Sequence, residues 1–199
     1  MRWDRLFDDL ESQLEHELDA EETDLVAEEE RLRLARLSLR DRVLAMAEPE
    51  HADREPLVIE VVTGAVWTLR ASALGRDWIA GDLVGDVGPR RSAVIPLAAI
   101  AAVRPSAAQL ALGLAAEPAA PPTASLSARL GLAFVARDLC RRRVLVELVT
   151  PAGSFFGTLD RVARDHLDLA EHEPTDPRRS SAVRGVRLVP FGQLAAIRY

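Results

Sequence analysis

Short apolar runs rich in β-branched residues, separated by turn residues, recur along the chain from about residue 55 to its end. This pattern predicts two sets of five short strands. The first set is expected at Leu57–Thr63, Ala65–Ala73, Trp78–Leu83, Ser92–Ile95 and Ala98–Val103. The second set is expected at Val144–Thr150, Ser154–Val162, His166–Glu171, Val183–Val189 and Gln193–Tyr199. Short strands at such intervals favour small closed barrels over a parallel sheet.

The two sets of strands match each other in sequence as well as in pattern. Ile95–Arg104 aligns with Val189–Arg198 without a gap, and Val58–Thr63 aligns with Leu145–Thr150 in the same order along the chain. We interpret the two copies as a duplication of one unit of about 70–75 residues.

Helical patterns accompany the strands. An amphipathic stretch begins at Ser125, which suits an N-cap, and continues to about Leu139. The Ala/Pro-rich stretch between the copies predicts a helical turn at Gln109–Ala116. The predicted fold class is α+β, mostly β. We expect an acidic helical segment at 1–47, a first small barrel at 55–105, a linker at 106–124 and a second helix-plus-barrel unit at 125–199.

The second copy carries alternating apolar residues at 144–148, turn glycines at Gly153 and Gly157, and the pair Arg184-Gly185. Together with a helix followed by five bent strands, this pattern resembles the Sm-like small barrels, the group that includes Hfq. It is also similar to the SH3-like barrel at the C-terminus of the ribosome maturation factor RimP. The resemblance implies two duplicated Sm- or SH3-like barrels, and it implies RNA contact at Arg184 and Gly185.

The N-terminal segment combines a strong negative charge with a repeat of apolar residues. The chain has a net charge of −6, and residues 1–30 alone hold 13 acidic residues and two Arg. A spacing of seven joins Leu18, Leu25, Leu32, Leu39 and Met46, as in a coiled-coil seam. Two interpretations stay open: a helix that dimerises or binds a partner, and a helix that packs on the protein's own barrels.

The first fifteen residues, MRWDRLFDDLESQLE, are similar to the start of a family of actinobacterial proteins, some of which are labelled Fis-family regulators. A regulator of that kind needs a helix-turn-helix with a basic recognition helix. The sequence contains no such pattern, so we do not adopt that label.

All 25 basic residues of the chain are Arg, and many of them lie in the second copy. An arginine cluster on a small barrel binds phosphates with little sequence preference, and a nearby ring stacks on a base. The candidate nucleic-acid-binding residues are Arg141, Arg142, Arg143, Arg184, Gly185 and His166. The alternative is that these arginines pair with neighbouring acidic side chains.

Several chemistries are not expected. One Cys excludes an intramolecular disulfide and a multi-cysteine zinc site. The sequence has no P-loop, dinucleotide-binding or nucleophile-elbow motif. His166, Asp168 and His172 share a strand face, but neighbours about 7 Å apart are too distant to converge on one metal ion. We therefore expect no enzyme activity, no metal and no cofactor.

No signal peptide or membrane span is expected, because the N-terminus is acidic and the longest apolar run, Ala93–Val103, is short and contains Pro96. We predict a cytoplasmic, non-catalytic adaptor or regulatory protein that binds a protein partner through its barrels and acidic helix. The alternative is a weak RNA- or DNA-binding module that uses the basic second barrel. A homo-oligomer could form through the N-terminal helix or through barrel edge strands.

Overall fold

The computed structural model of the chain describes residues 22–47, 55–86, 88, 90–117, 129–173 and 183–199. Leu18, the segment 1–15 and the helix start expected at Ser125 lie outside these residues. Within them the fold is mixed α+β and consists mostly of strands.

The helices are α1 (22–36), α2 (Leu39–Ala47), α3 (Ala107–Leu114) and α4 (Leu132–Arg141). The first half of the sheet contains β1 (Leu57–Val61), β2 (Val66–Leu74), β3 (Trp78–Leu83), β4 (Ser92–Pro96) and β5 (Ile100–Arg104). The second half contains β6 (Leu145–Thr150), β7 (Gly153–Val162), β8 (His166–Glu171), β9 (Gly185–Pro190) and β10 (Ala196–Arg198). Short 3-10 turns at Leu97–Ala99 and Phe191–Gln193 make β5 and β10 begin later than the sequence predicted.

All of these strands belong to one antiparallel sheet. Its order is β5-β1-β2-β3-β4-β10-β6-β7-β8-β9, so the two halves repeat one strand order and meet where β4 pairs with β10. The ladders of the described residues leave the sheet open, since β5 pairs only with β1 and β9 only with β8. The expected strands are therefore present, but in a single open sheet, because β4 pairs with the other half instead of closing its own.

Each half surrounds a hydrophobic core. The first core contains Val43 and Met46 of α2 with Leu57, Ile59, Leu69, Ile79 and Ile95 of the strands. The second contains Leu132, Ala136 and Leu139 of α4 with Leu148, Leu159, Leu167, Leu169 and Val189. Each core also takes residues from the other half: Ala195 and Ala196 join the first, and Trp78, Ala80 and Val94 join the second. Apolar burial at the β4–β10 ladder therefore stabilises both halves together.

Helix α3 occupies the start of the expected linker, close to the helical turn that the sequence predicts there. Its N-terminus is a capping box: the Ser106 hydroxyl accepts from the Gln109 N–H, and the Gln109 side chain accepts from the Ser106 N–H at 3.1 Å. The Gln109 amide also donates to the main-chain oxygen of Glu55 at 3.0 Å. This contact fixes α3 beside the start of β1, where it packs against α2.

The strand ladders correct one part of the sequence match between the halves. Arg104 lies opposite Val58, whereas Arg198 lies opposite Glu147. Val58, and not Glu60, is therefore the positional counterpart of Glu147, and the match of the two β1-type strands is displaced by two residues. A shift of two keeps every side chain on its own face of the sheet, so the apolar pattern alone does not reveal it.

Candidate interaction edge

The joint between the halves shows how an edge of this sheet is occupied. Ser92 and Tyr199 exchange two main-chain hydrogen bonds, with Ser92 N–H donating at 3.2 Å and Tyr199 N–H at 2.9 Å. Two residues further along β4, Val94 lies opposite Ile197, and both side chains are fully buried. Because alternate residues of a strand face the same neighbour, Ser92 and Val94 both direct their main-chain groups at β10.

Strand β9 presents the same edge, and no strand of the described ranges pairs with it. Val94 lies opposite Ala80 in β3, and Leu188 lies opposite Asp168 in β8, so Leu188 is the counterpart of Val94. Leu188 is 64% exposed and Val186 is 56% exposed, against 0% for Val94. Their outward main-chain groups face no strand among the described residues. This outer side of β9 (Gly185–Pro190), called here the β9 edge, is the candidate interaction site.

The face beside the two edges differs in polarity. At the joint, Trp78 and Ala80 flank Val94 and are buried in the second core. Their counterparts beside Leu188 are His166 and Asp168. The residues beside the paired β4 edge are thus apolar, whereas those beside the open β9 edge are polar.

The turn before β3 receives the N-terminus of α4. The Asp77 carboxylate accepts a 2.7 Å hydrogen bond from the Leu132 N–H. The Arg76 N–H and the Trp78 indole N–H both donate to the Leu130 carbonyl, at 2.9 and 3.0 Å. The first residues of α4 are therefore held by a turn of the other half.

The corresponding turn of the second half precedes β8. There the Asp165 carboxylate lies 2.7 Å from Nδ1 of His166, and this hydrogen bond holds the pKa of Asp165 below its usual value. No helix of the described chain sits on this turn. Among the described residues, the second half therefore has a counterpart of the β4 edge that pairs with no strand and a counterpart of the turn that receives no helix.

An ionic cluster fixes the joint at its other end. Arg198 donates to Glu147 at 3.1 Å, to the Asp86 carboxylate and to the Arg90 carbonyl at 3.3 Å. The Arg90 guanidinium lies 4.8 Å from the centre of the Phe156 ring. Asp86 and Arg90 come from the β3–β4 loop of the first half, so these contacts hold the two halves in one register.

The arginines predicted to bind nucleic acid lie on the surface of the second half, mostly beside acidic side chains. Arg141 and Arg142 contact Asp138 at 2.6 and 3.5 Å, and the Arg141 hydrogen bond is the main cause that lowers the pKa of Asp138. Arg184 contacts Glu173 at 2.7 Å. Arg143, just after α4, is exposed and has a left-handed backbone with φ of 52°.

Among the predicted nucleic-acid residues, His166 lies far from the Arg184-Gly185 pair. His166 lies opposite Pro190, whereas Gly185 lies opposite Glu171 at the far end of the same ladder. His166 and the Arg184-Gly185 pair are therefore separated by the length of β8, about 17 Å for its strand rise. Such a separation leaves His166 unable to stack a base that Arg184 contacts.

The predicted seam is divided between two helices. Residues 37 and 38 separate α1 from α2, and the Asp41 carboxylate accepts from the Ser38 N–H at 3.0 Å, which caps α2 locally. Met46 is buried in the first core. Leu25, Leu32 and Leu39 remain exposed. The seam positions on α1 are therefore available to a partner, whereas Met46 packs within the chain.

No group of three or more His, Cys, Asp or Glu in the described part of the chain is placed to hold a metal ion. None of the helices described there has the length and apolar character needed to cross a membrane. Comparison of the chain with protein-family models, with curated proteins and with solved structures finds no match.

The sequence did not identify β9 as the open edge, and it did not identify the docking turn, Arg76–Trp78, which receives the start of α4. A signal for the edge was present, because extending the match of Ile95 and Val189 by one residue pairs Val94 with Leu188. The docking turn has no such signal, since Asp77 and Leu132 are far apart in the chain and belong to different copies.

Proposed function

We propose that the chain is a non-catalytic protein-binding module built from two Sm- or SH3-like units, and that the β9 edge binds an extended segment of a protein partner. The observation that supports this proposal is the contrast between Val94 and Leu188. The same position is fully buried where a strand is added and 64% exposed where none is.

The edge offers both components of strand recognition. Main-chain N–H and C=O groups of Val186 and Leu188 give affinity that is independent of sequence, as in other cases of strand addition to a sheet. The exposed apolar side chains of the same two residues favour a partner that covers them. The internal joint provides the precedent, since β10 binds β4 through equivalent groups.

Helix α1 supplies a second surface for an adaptor. Residues 22–30 are exposed on all sides of the helix and include Glu28, Glu29 and Glu30 beside Leu25 and Val26. Its C-terminal part is held by Arg33, which donates to the Leu114 carbonyl at 2.6 Å. An acidic helix with exposed apolar residues fits a partner surface that is basic at its rim.

The test uses a labelled peptide with the sequence GQLAAIAY, which is residues 192–199 with Ala in place of Arg198. Fluorescence anisotropy is measured against the full chain, its Leu188→Lys variant and its Val62→Lys variant. Val62 is exposed to a similar degree but lies outside β9, so it controls for the added charge.

We expect saturable binding that Leu188→Lys weakens about tenfold or more, the equivalent of about 1.4 kcal/mol, and that Val62→Lys leaves unchanged. Equal binding by both variants, or the absence of saturable binding, would overturn the proposal.

A further inference from the structure

We infer that the β9 edge selects an acidic strand of a different protein over the β5 edge of a second copy of this chain. The inference rests on the proposed function and names the partner chemistry of the same site. It follows from using the β4–β10 joint as a template for what would pair with β9.

A second copy would extend the sheet by placing its β5 where β10 sits at the joint. In the joint, Ile197 and Arg198 lie opposite Val94 and Ala93, and Tyr199 bonds Ser92. The matched residues at the open edges are Val103, Arg104 and Pro105 on one side and Leu188, Arg187 and Val186 on the other.

The central pair of this arrangement is unfavourable. At the joint, Arg198 lies opposite the small, uncharged Ala93 and donates to Glu147 and Asp86. At the β9 edge, Arg104 of a second copy would lie opposite Arg187. Like charges directly opposite each other destabilise an antiparallel pair.

Pairing β9 with β5 of a second copy would also lose a hydrogen bond opposite Val186. The Tyr199 N–H donates to the Ser92 carbonyl at 2.9 Å. Its counterpart in a second copy is Pro105, which has no N–H to donate. The carbonyl of Val186 would therefore lack the donor that Ser92 has at the joint.

The face beside the edge also disfavours a second copy. The first half buries Trp78 and Ala80 under the second half. A second copy packed in the same way would bury His166 and Asp168 instead, and Asp168 has a contact to the exposed Arg161 at 3.9 Å. Covering these polar groups without new partners costs free energy.

The same edge favours an acidic residue opposite Arg187. The Arg187 guanidinium stacks 4.0 Å from the Phe155 ring centre and donates to Glu171 through Nε at 2.7 Å. A guanidinium has five N–H donors, and a single carboxylate occupies only part of them. Arg184, beside the start of β9, already contacts Glu173 at 2.7 Å, so Arg187 alone sets the charge preference. The partner strand is therefore acidic opposite Arg187, apolar opposite Leu188, and not proline opposite Val186.

The test compares three peptides that differ only at the position opposite Arg187: GQLAAIEY, GQLAAIAY and GQLAAIRY. Anisotropy is measured with the full chain and with its Arg187→Gln variant. We expect the Glu peptide to bind about fivefold more tightly than the Arg peptide. Opposite charges facing each other across two strands stabilise the pair, whereas like charges destabilise it. The difference should fall below about twofold in Arg187→Gln.

The outcomes separate this inference from the proposed function. If all three peptides bind equally and Leu188→Lys weakens each of them, the edge binds strands but the acidic preference is wrong. If no peptide binds, the proposed function fails as well. Light scattering on the full chain tests whether a second copy occupies the edge instead. Oligomers that form with the unchanged chain and dissociate with Leu188→Lys would show this and would overturn the inference.

Discussion

The Asp77 carboxylate accepts a 2.7 Å hydrogen bond from the Leu132 N–H, so a turn of the first half caps helix α4 of the second half. Helix α4 has Gly131 at its N-cap, and glycine has no side chain that could accept a hydrogen bond from the first N–H groups of the helix. Together with the β4–β10 ladder, the contact makes the two halves a single structural unit, although each repeats the same strand order.

Replacing Asp77 by Ala should destabilise the chain by about 1 kcal/mol, the usual value of a side-chain cap. Urea unfolding followed by circular dichroism measures the change. Asp165→Ala is the matched control, because Asp165 occupies the corresponding turn and receives no helix among the described residues. We expect Asp165→Ala to lower the free energy of unfolding clearly less than Asp77→Ala does. Equal losses for the two variants would contradict the capping role.

Arg198 and Arg104 give a second matched pair. Arg198 is 19% exposed and contacts Glu147, which is buried, at 3.1 Å. Arg198→Ala should cost about 2–3 kcal/mol, because it leaves that carboxylate with only the longer 3.7 Å contact to Arg90. Arg104 is 63% exposed in its 2.6 Å contact with Glu60, and Arg104→Ala should cost about 0.5 kcal/mol or less. Urea unfolding of both variants measures the difference. Similar losses would show that the ionic cluster does not fix the joint.

Much of the fold could be predicted from local pattern. Strand β3 was predicted at Trp78–Leu83 and β8 at His166–Glu171, and the structure confirms both sets of bounds. Alternation and turn residues identify such strands because each has one apolar face. The open sheet could not be predicted in this way, since the pairing of β4 with β10 joins residues that are distant in the chain and depends on which edge is free.

The candidate site was harder to predict, because exposure is a property of the assembled sheet. Val94 and Leu188 are both apolar strand residues, and nothing local tells that one is buried and the other is not. The arginine cluster shows the reverse problem. Arg142 and Arg184 are conspicuous in the sequence, but the structure places Asp138 and Glu173 beside them.

The ionisation of Tyr199 makes the folding stability depend on pH. Burial, and then the charge of Asp82, raise the pKa of the Tyr199 hydroxyl above its usual value of about 10. Below that pH the residue is neutral in both states. As pH rises further, the unfolded chain ionises first, so folding stability is lost between the usual and the raised pKa.

Because Tyr199 is the one tyrosine of the sequence, ultraviolet absorbance of tyrosinate reports it directly. We expect a titration midpoint above about 10. We also expect a smaller alkaline loss of stability in Tyr199→Phe than in the unchanged chain. A midpoint at or below the usual value would contradict the packing of Tyr199 at the joint.

Nucleic-acid binding is tested with labelled mixed-sequence RNA and DNA at about 50 and 200 mM salt, a range in which phosphate contacts weaken strongly. Because Asp138 and Glu173 offset Arg141, Arg142 and Arg184, we expect no salt-sensitive binding by the full chain. Binding that falls with salt and is lost in Arg142→Ala would instead favour the nucleic-acid function.

Amide hydrogen exchange tests, residue by residue, whether the β9 edge is open. The Ser92 N–H donates to Tyr199, and Val94 faces β10 in the same ladder. Val186 and Leu188 direct the equivalent groups outward. Exchange measured by NMR should be slow at Ser92 and Val94 and faster by orders of magnitude at Val186 and Leu188. Protection of Leu188 equal to that of Val94 would show that the edge is already covered and would contradict the account.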